Sequence, residues 1–174
     1  MSILNPCISK GLRKEDADTA EAELSAAINR SHYAKSKFQN PWVVIEQGQQ
    51  SRNEAILKDF LEMGDKAPVA DLLRIPVEQV DKTHIVSKST LLCVNTIQKP
   101  FLIPPVAGTP FKAFTFIALG DSSYSSGLPG FGNPPQQFEM NSGQALHASV
   151  DAVQVFKGEL PSQGGGFLFL IMWK

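Results

Sequence analysis

The sequence predicts an α+β protein in which an N-terminal helical segment precedes an antiparallel, β-sandwich or barrel-like C-terminal half. Only eight of the 33 Asp, Glu, Lys and Arg residues lie in 90–174, yet this stretch holds ten of the 13 glycines, eight of the 12 prolines and nine of the 11 phenylalanines. Near residue 84 the apolar spacing also changes from helical steps to strand alternation. We therefore expect a helical segment over residues 1–83 and a β domain over 84–174.

Length and composition narrow the class of protein. A chain of 174 residues with 43% hydrophobic residues can bury a real core as one domain, or as one domain with a helical appendage. A net charge of −1 gives no general attraction to nucleic acid or anionic membranes. Two cysteines do not form a disulfide framework. The N-terminus has no apolar core of signal-peptide length, and no run reaches the length of a membrane span. We expect a soluble protein made in a reducing cytoplasm, with no membrane span.

The first predicted helix contains a narrow stripe of small residues. Ala17, Ala20, Leu24 and Ile28 recur at three- and four-residue steps, and Asn40-Pro41 ends the pattern. So thin a stripe suits close packing against one partner, and Leu24 and Ile28 are therefore candidate subunit-interface residues.

Three shorter helices are predicted to follow. Ser51 and Glu54 match a capping box, and Gly64 is placed as a C-terminal cap. Pro68 and Pro76 can each open a further helix. The predicted helices span about 16–39, 51–63, 68–74 and 76–83.

Segments that are β-branched or that alternate between apolar and polar residues predict the strands. Residues 42–45 are a short buried strand or connector, and residues 85–98, 101–103 and 111–119 are strands separated by proline and glycine. Residues 144–156 alternate, which predicts a half-exposed strand with His147, Ser149 and Asp151 on its polar face.

The run at 167–173 is entirely apolar, so strand alternation places large side chains on both faces. Burying such side chains contributes about 1.5–3 kcal/mol each, so they cannot remain in water. The run is either a central strand covered on both faces or an edge completed by another subunit. Its candidate subunit-interface residues are Phe167, Phe169, Ile171 and Trp173.

One loop suggests chemistry. Residues 116–124 end a strand in Gly120-Asp121-Ser122-Ser123-Tyr124. This run resembles the GDSSY loop of the flavodoxin-like domain of diflavin reductases, which implies an FMN site with the tyrosine stacked on the isoalloxazine. The sequence departs from that family at residues 48–53, which lack its phosphate-binding pattern, and at three prolines after Tyr124. A polar loop after a strand is the favoured interpretation.

A second motif suggests nucleic-acid binding. Ala70, Ile75 and Val80 have spacings that resemble the core of a helix-turn-helix, with helices at 51–63, 68–74 and 76–86. Residues 51–88 carry six basic and seven acidic side chains, whereas DNA affinity depends on neutralising phosphates. A packed helical unit without DNA binding is the favoured interpretation.

No catalytic, cofactor-binding or metal-ligating set is predicted. The histidines are scattered, and Cys93 lies in an apolar strand, which indicates a packed thiol. The leading hypothesis is a non-enzymatic structural protein without a cofactor that associates with itself or with other structural subunits, such as a viral or phage coat or cement protein. The alternatives are a helix-turn-helix-like nucleic-acid-binding module with a β ligand domain and an FMN-binding, flavodoxin-like electron-transfer protein.

Overall fold

The computed structural model describes residues 6–28, 42–45, 49–93, 110–123, 126, 128, 136–150 and 165–174. These contain three α-helices and six strands. The helices are α1 (Lys14–Ala27), α2 (Gln50–Met63) and α3 (Ala67–Leu73). The strands are β1 (Cys7–Lys10), β2 (Trp42–Ile45), β3 (Ile85–Cys93), β4 (Ala113–Leu119), β5 (Gln144–Ser149) and β6 (Phe167–Trp173).

The strands form one open antiparallel sheet in the order β1-β5-β4-β6-β3-β2. The α+β class with an antiparallel sheet is confirmed. The sandwich or barrel-like closure is wrong, because the sheet begins and ends in separate edge strands. The strict order of helices before strands is also wrong, since β1 and β2 precede or lie among the helices. One sheet therefore draws strands from both sides of residue 84, where we had predicted a change from helical segment to β domain.

Each face of the sheet buries its own hydrophobic cluster. The helix-side cluster joins the helices to alternate residues of the central strands, including Leu24, Phe60, Ile117 and Phe169. In this layer α1 packs on β4, α2 on β3, and α3 on β4 and β5. The loop-side cluster gathers the residues of opposite parity, which are covered in part by loop side chains. Because both faces are covered, β4 and β6 are buried along their whole length.

The helix boundaries show where local signals were overridden. Helix α1 ends at Ala27, because the β-branched Ile28 is extended and packs against the helix-side cluster. The rest of the predicted 16–39 helix lies outside the described residues, as does the predicted strand at 101–103. The capping box is wrong: Gln49 is the N-cap of α2, and the Glu54 carboxylate lies 2.6 Å from Lys88 Nζ on β3.

The end of α2 and the start of α3 agree better with prediction. Gly64 is the C-cap of α2, as predicted, and its N–H donates to the carbonyl of Phe60. Its backbone is extended (φ −72°), so the glycine is required by space: a Cβ there would lie 2.4 Å from the Phe60 ring. Pro68 lies in the first turn of α3, as predicted.

The helix predicted at 76–83 is wrong. The segment forms two short 3₁₀ turns, Val77–Gln79 and Lys82–His84, separated by extended backbone at Val80 and Asp81. The Asp81 side chain accepts from the backbone N–H of Thr83, which starts the second turn in place of a continuous helix. Strand β3 then begins at Ile85.

Candidate functional site

The six predicted subunit-interface residues belong to a single intramolecular core. Leu24 and the four residues of β6 lie in the helix-side cluster, where none is more than 1% exposed, and Ile28 packs against that cluster. These residues are Phe167, Phe169, Ile171 and Trp173. Of the two explanations for the apolar run, the central strand is therefore the one observed: β6 pairs with β3 on one side and β4 on the other. The small-residue stripe of α1 docks on this chain's own sheet, so these positions do not support a subunit interface.

The loop after β4 is built as a connection between antiparallel strands. The backbone N–H of Gly120 donates to Ser142 Oγ at 3.1 Å, and the backbone N–H of Ser142 donates to Asp121 Oδ1 at 2.9 Å. Ser122 forms an isolated antiparallel bridge with Met140. These bonds tie the end of β4 to the segment that enters β5. Gly120 has φ +89°, a conformation that favours glycine.

This geometry overturns the flavodoxin-like alternative. A flavodoxin-like fold needs a parallel sheet with the cofactor at the carboxyl ends of its strands, whereas every strand pair described here is antiparallel. The Gly120 N–H, which a phosphate or flavin could have used, is already bonded to Ser142. Tyr124, the expected stacking residue, lies outside the described residues.

In the helix-turn-helix alternative, the third predicted helix would contact DNA, and the structure does not form that helix. The first two predicted helices exist as α2 and α3, but the third is replaced by the two 3₁₀ turns, which are too short to enter a major groove. Arg74, the C-cap of α3, adopts the left-handed conformation with φ 58°. The acidic Glu78 and Asp81 remain in the segment that would have faced phosphates.

A buried polar network runs across four neighbouring strands. His147 Nε2 lies 2.8 Å from Ser9 Oγ on β1, and His147 Nδ1 lies 2.9 Å from Thr115 Oγ1 on β4. The indole Nε1–H of Trp173 on β6 donates to the same Thr115 oxygen at 2.9 Å. Ser9, His147, Thr115 and Trp173 thus link β1, β5, β4 and β6, in the order in which these strands lie in the sheet. We call these four residues the His147 network.

The surroundings of the His147 network favour a neutral imidazole. His147 is 1% exposed, and the ring of Phe60 lies with its centroid 6.2 Å from the imidazole. Burial lowers the pKa of His147 to about 4, against a smaller opposing effect of the Asp65 carboxylate. Each hydroxyl partner can donate or accept, so either neutral tautomer satisfies both ring nitrogens.

The His147 network suits register control better than catalysis. A serine nucleophile needs a base held by an orienting group and a path to substrate, but His147 is buried and its second nitrogen faces a threonine hydroxyl in place of a carboxylate. A one-residue slip of any of the four strands would move its polar group to the apolar loop-side face. The network therefore fixes the pairing of strands that are far apart in the chain.

The polar-face prediction for β5 is wrong for His147, because the helix layer covers that side of the strand. Ser149 is partly buried, and Asp151 lies outside the described residues. Sequence reasoning also missed Ser9 and Thr115 as partners of His147. The available signal was a single hydroxyl residue of inward parity in the otherwise apolar run of β4.

Neither cysteine is an activated nucleophile, because the pKa of each thiol is raised above its ordinary value. Cys93 is buried, as predicted for a packed thiol, and burial raises its pKa to about 12. Cys7 on β1 is exposed, but partial burial and the nearby carboxylates of Asp65 and Asp71 raise its pKa as well. Within the described part of the chain, no group of three His, Cys, Asp or Glu residues could hold a metal ion. None of the helices described is both long and apolar enough to cross a bilayer.

The remaining candidate is the pair of sheet edges. Strand β1 pairs only with β5 and strand β2 only with β3 among the described strands. Each edge strand has four residues and carries an exposed apolar side chain, Ile8 at 37% and Val44 at 44% exposure. Their partners Leu146 and Leu91 both belong to the loop-side cluster, so Ile8 and Val44 lie on the same face at opposite ends of the sheet.

No protein family matches the chain, and a search of curated proteins finds no match either.

Proposed function

We propose that this protein is a non-enzymatic structural subunit that associates with copies of itself, or with a preformed lattice, through the edges of its sheet. The observation that carries the proposal is the edge strand β2. It contains no charged residue and no proline, the features by which proteins block pairing between edges. Val44 in its middle is 44% exposed.

The charge of the chain supports association. A net charge of −1 at pH 7 leaves little repulsion between copies, and proteins near zero net charge associate more readily. Three described groups that could have carried chemistry take part in the fold: His147 contacts hydroxyl partners, Cys93 lies in the loop-side cluster and the Gly120 N–H donates to Ser142.

The position of the two edges determines what assembly can form. Pairing β2 with β2 of another copy is isologous and closes a dimer, whereas pairing β2 with β1 of another copy is heterologous and extends without closing. In the described part of the chain, both edge strands have no partner on their outer side, so both kinds of pairing are open to it, which suits a lattice subunit. A coat or cement subunit of a virus or phage is the narrowest form of this proposal.

Sedimentation velocity across a wide range of micromolar concentrations tests the proposal. We expect the weight-average sedimentation coefficient to rise with concentration, because the edge contact is short and of the weak, transient class. A protein that stays monomeric throughout would refute self-association. Negative-stain microscopy of the concentrated protein then separates closed dimers from extended assemblies.

A further inference from the structure

We propose that two copies of this chain pair through β2, antiparallel about a two-fold axis at Val44, so that two six-stranded sheets become one. This inference rests on the proposed self-association and names its contact.

The backbone of β2 forms strand hydrogen bonds on one side only, the side that faces β3. Its four residues pair with Cys93, Leu92, Leu91 and Thr90 of β3. Because successive residues of a strand direct their N–H and C=O groups to opposite sides, half of these groups in β2 point away from β3. In the part of the chain that the structure describes, no strand lies on that side.

The side chains of β2 match a second copy of β2. An antiparallel pair centred on Val44 places Val44 opposite Val44 of the second copy, and Val43 opposite Ile45. The two-fold axis generates the Val43–Ile45 pair twice, once on each side of the central Val44 pair. All three pairs join β-branched apolar side chains, a composition that favours cross-strand packing. Residues 43–45 carry no charge, so this part of the strand is complementary to itself. The residue that follows them, Glu46, lies outside the described residues.

The opposite edge lacks this match. Strand β1 ends in the exposed Lys10, and its centre, Ile8, is flanked by Cys7 and Ser9. Lysine on an edge strand opposes pairing between edges. Ile8 is a matched control for Val44. Both side chains are exposed and apolar, and each lies on an edge strand at the same face of the sheet.

The test compares Val44→Lys with Ile8→Lys by sedimentation equilibrium, with circular dichroism to show that each variant keeps its fold. In Val44→Lys two like charges would lie directly opposite each other, which destabilises the pair, and we expect dimerisation to weaken by at least about tenfold. Ile8→Lys should leave dimerisation unchanged. Association unaffected by Val44→Lys would overturn the inference while leaving the proposed function in place. A wild-type protein that is monomeric at every concentration would overturn the inference together with the self-association part of the proposed function.

A cross-linking measurement covers the case in which Val44→Lys fails to fold. In a Cys7→Ser background, Val44→Cys places two thiols opposite each other across the two-fold axis, and a mild oxidant should give a disulfide-linked dimer on a non-reducing gel. The control combines Cys7→Ser with Ile8→Cys and should remain monomeric. If the Ile8→Cys protein cross-links and the Val44→Cys protein does not, the contact is at β1 and the inference is refuted.

Discussion

Mild acid should destabilise this protein through one side chain, His147. In the folded state its pKa is about 4, against an ordinary value of 6.5, because burial disfavours the charged imidazolium. In the unfolded chain, His147 therefore binds a proton below about pH 6.5, whereas in the folded chain it binds one only below about pH 4. Stability is thus complete above pH 6.5 and falls as the pH is lowered through this window.

The size of the effect follows from the gap between the two pKa values. At about 1.4 kcal/mol for each pH unit, the gap between 6.5 and about 4 corresponds to a loss of about 3 kcal/mol. Small domains have a free energy of unfolding of about 5–15 kcal/mol, so such a loss is a large fraction of the total. Both hydroxyl partners can accept from a protonated ring, so the penalty comes from burial of the charge and not from lost hydrogen bonds.

Urea unfolding between about pH 7 and pH 4.5 measures the effect, with the wild type compared to His147→Gln, which keeps a donor and an acceptor but does not titrate. We expect the free energy of unfolding to fall more steeply in the wild type. Three exposed carboxylates, Asp18, Glu54 and Asp81, have lowered pKa values and add acid sensitivity, but they do so in both proteins. Parallel slopes in the two proteins would refute the reasoning, as would an NMR titration of His147 near 6.5.

Three further perturbations test the packing. Gly64→Ala puts a Cβ within 2.4 Å of the buried Phe60 ring, and overpacking of this kind should cost about 1–3 kcal/mol in urea unfolding; an unchanged midpoint would mean that the ring moves freely. Thr115→Val removes the hydroxyl that accepts the indole N–H and faces the imidazole, so we expect a loss of about 1–3 kcal/mol despite the similar shape, and a neutral result would argue against the network. In the native protein a thiol reagent should modify Cys7 alone, while Cys93 should react only after unfolding; equal rates would contradict the burial of Cys93.

The elements predicted best were those whose signal depends on burial or on a local restriction of the backbone. The apolar run of β6 required cover on both faces, and it is the central strand. The segment Trp42–Ile45 was predicted as a short buried strand or connector; it is the strand β2, but its Val44 is exposed. Pro68 and Gly64 marked helix ends, because each restricts the backbone or the space around it in a way few other residues do.

The failures come from one local side-chain bond and from contacts between distant parts of the chain. Residues 76–83 have a proline start and an apolar spacing suited to a helix, but a side-chain bond from Asp81 and the demand for a strand at Ile85 break it into turns. His147 alternates with apolar residues as a surface residue would, and only the helix layer over β5 reveals that it is buried. No local pattern shows which strand becomes an edge, so the exposure of Val44 and Ile8 could not be predicted.

The strand order also determines when the sheet can be completed. Among the described strands, β3 and β4 are consecutive in sequence but do not pair, because β6 lies between them. Strand β1 pairs with β5 about 140 positions later, as in the pair Cys7 and His147. Pairings this distant in sequence make folding slow, because much of the loop entropy must be lost before contacts compensate for it. During synthesis, β3 and β4 each expose an apolar edge until β6, the strand that pairs with both, has been synthesised. The growing chain should therefore depend on chaperones more than a protein built from successive hairpins.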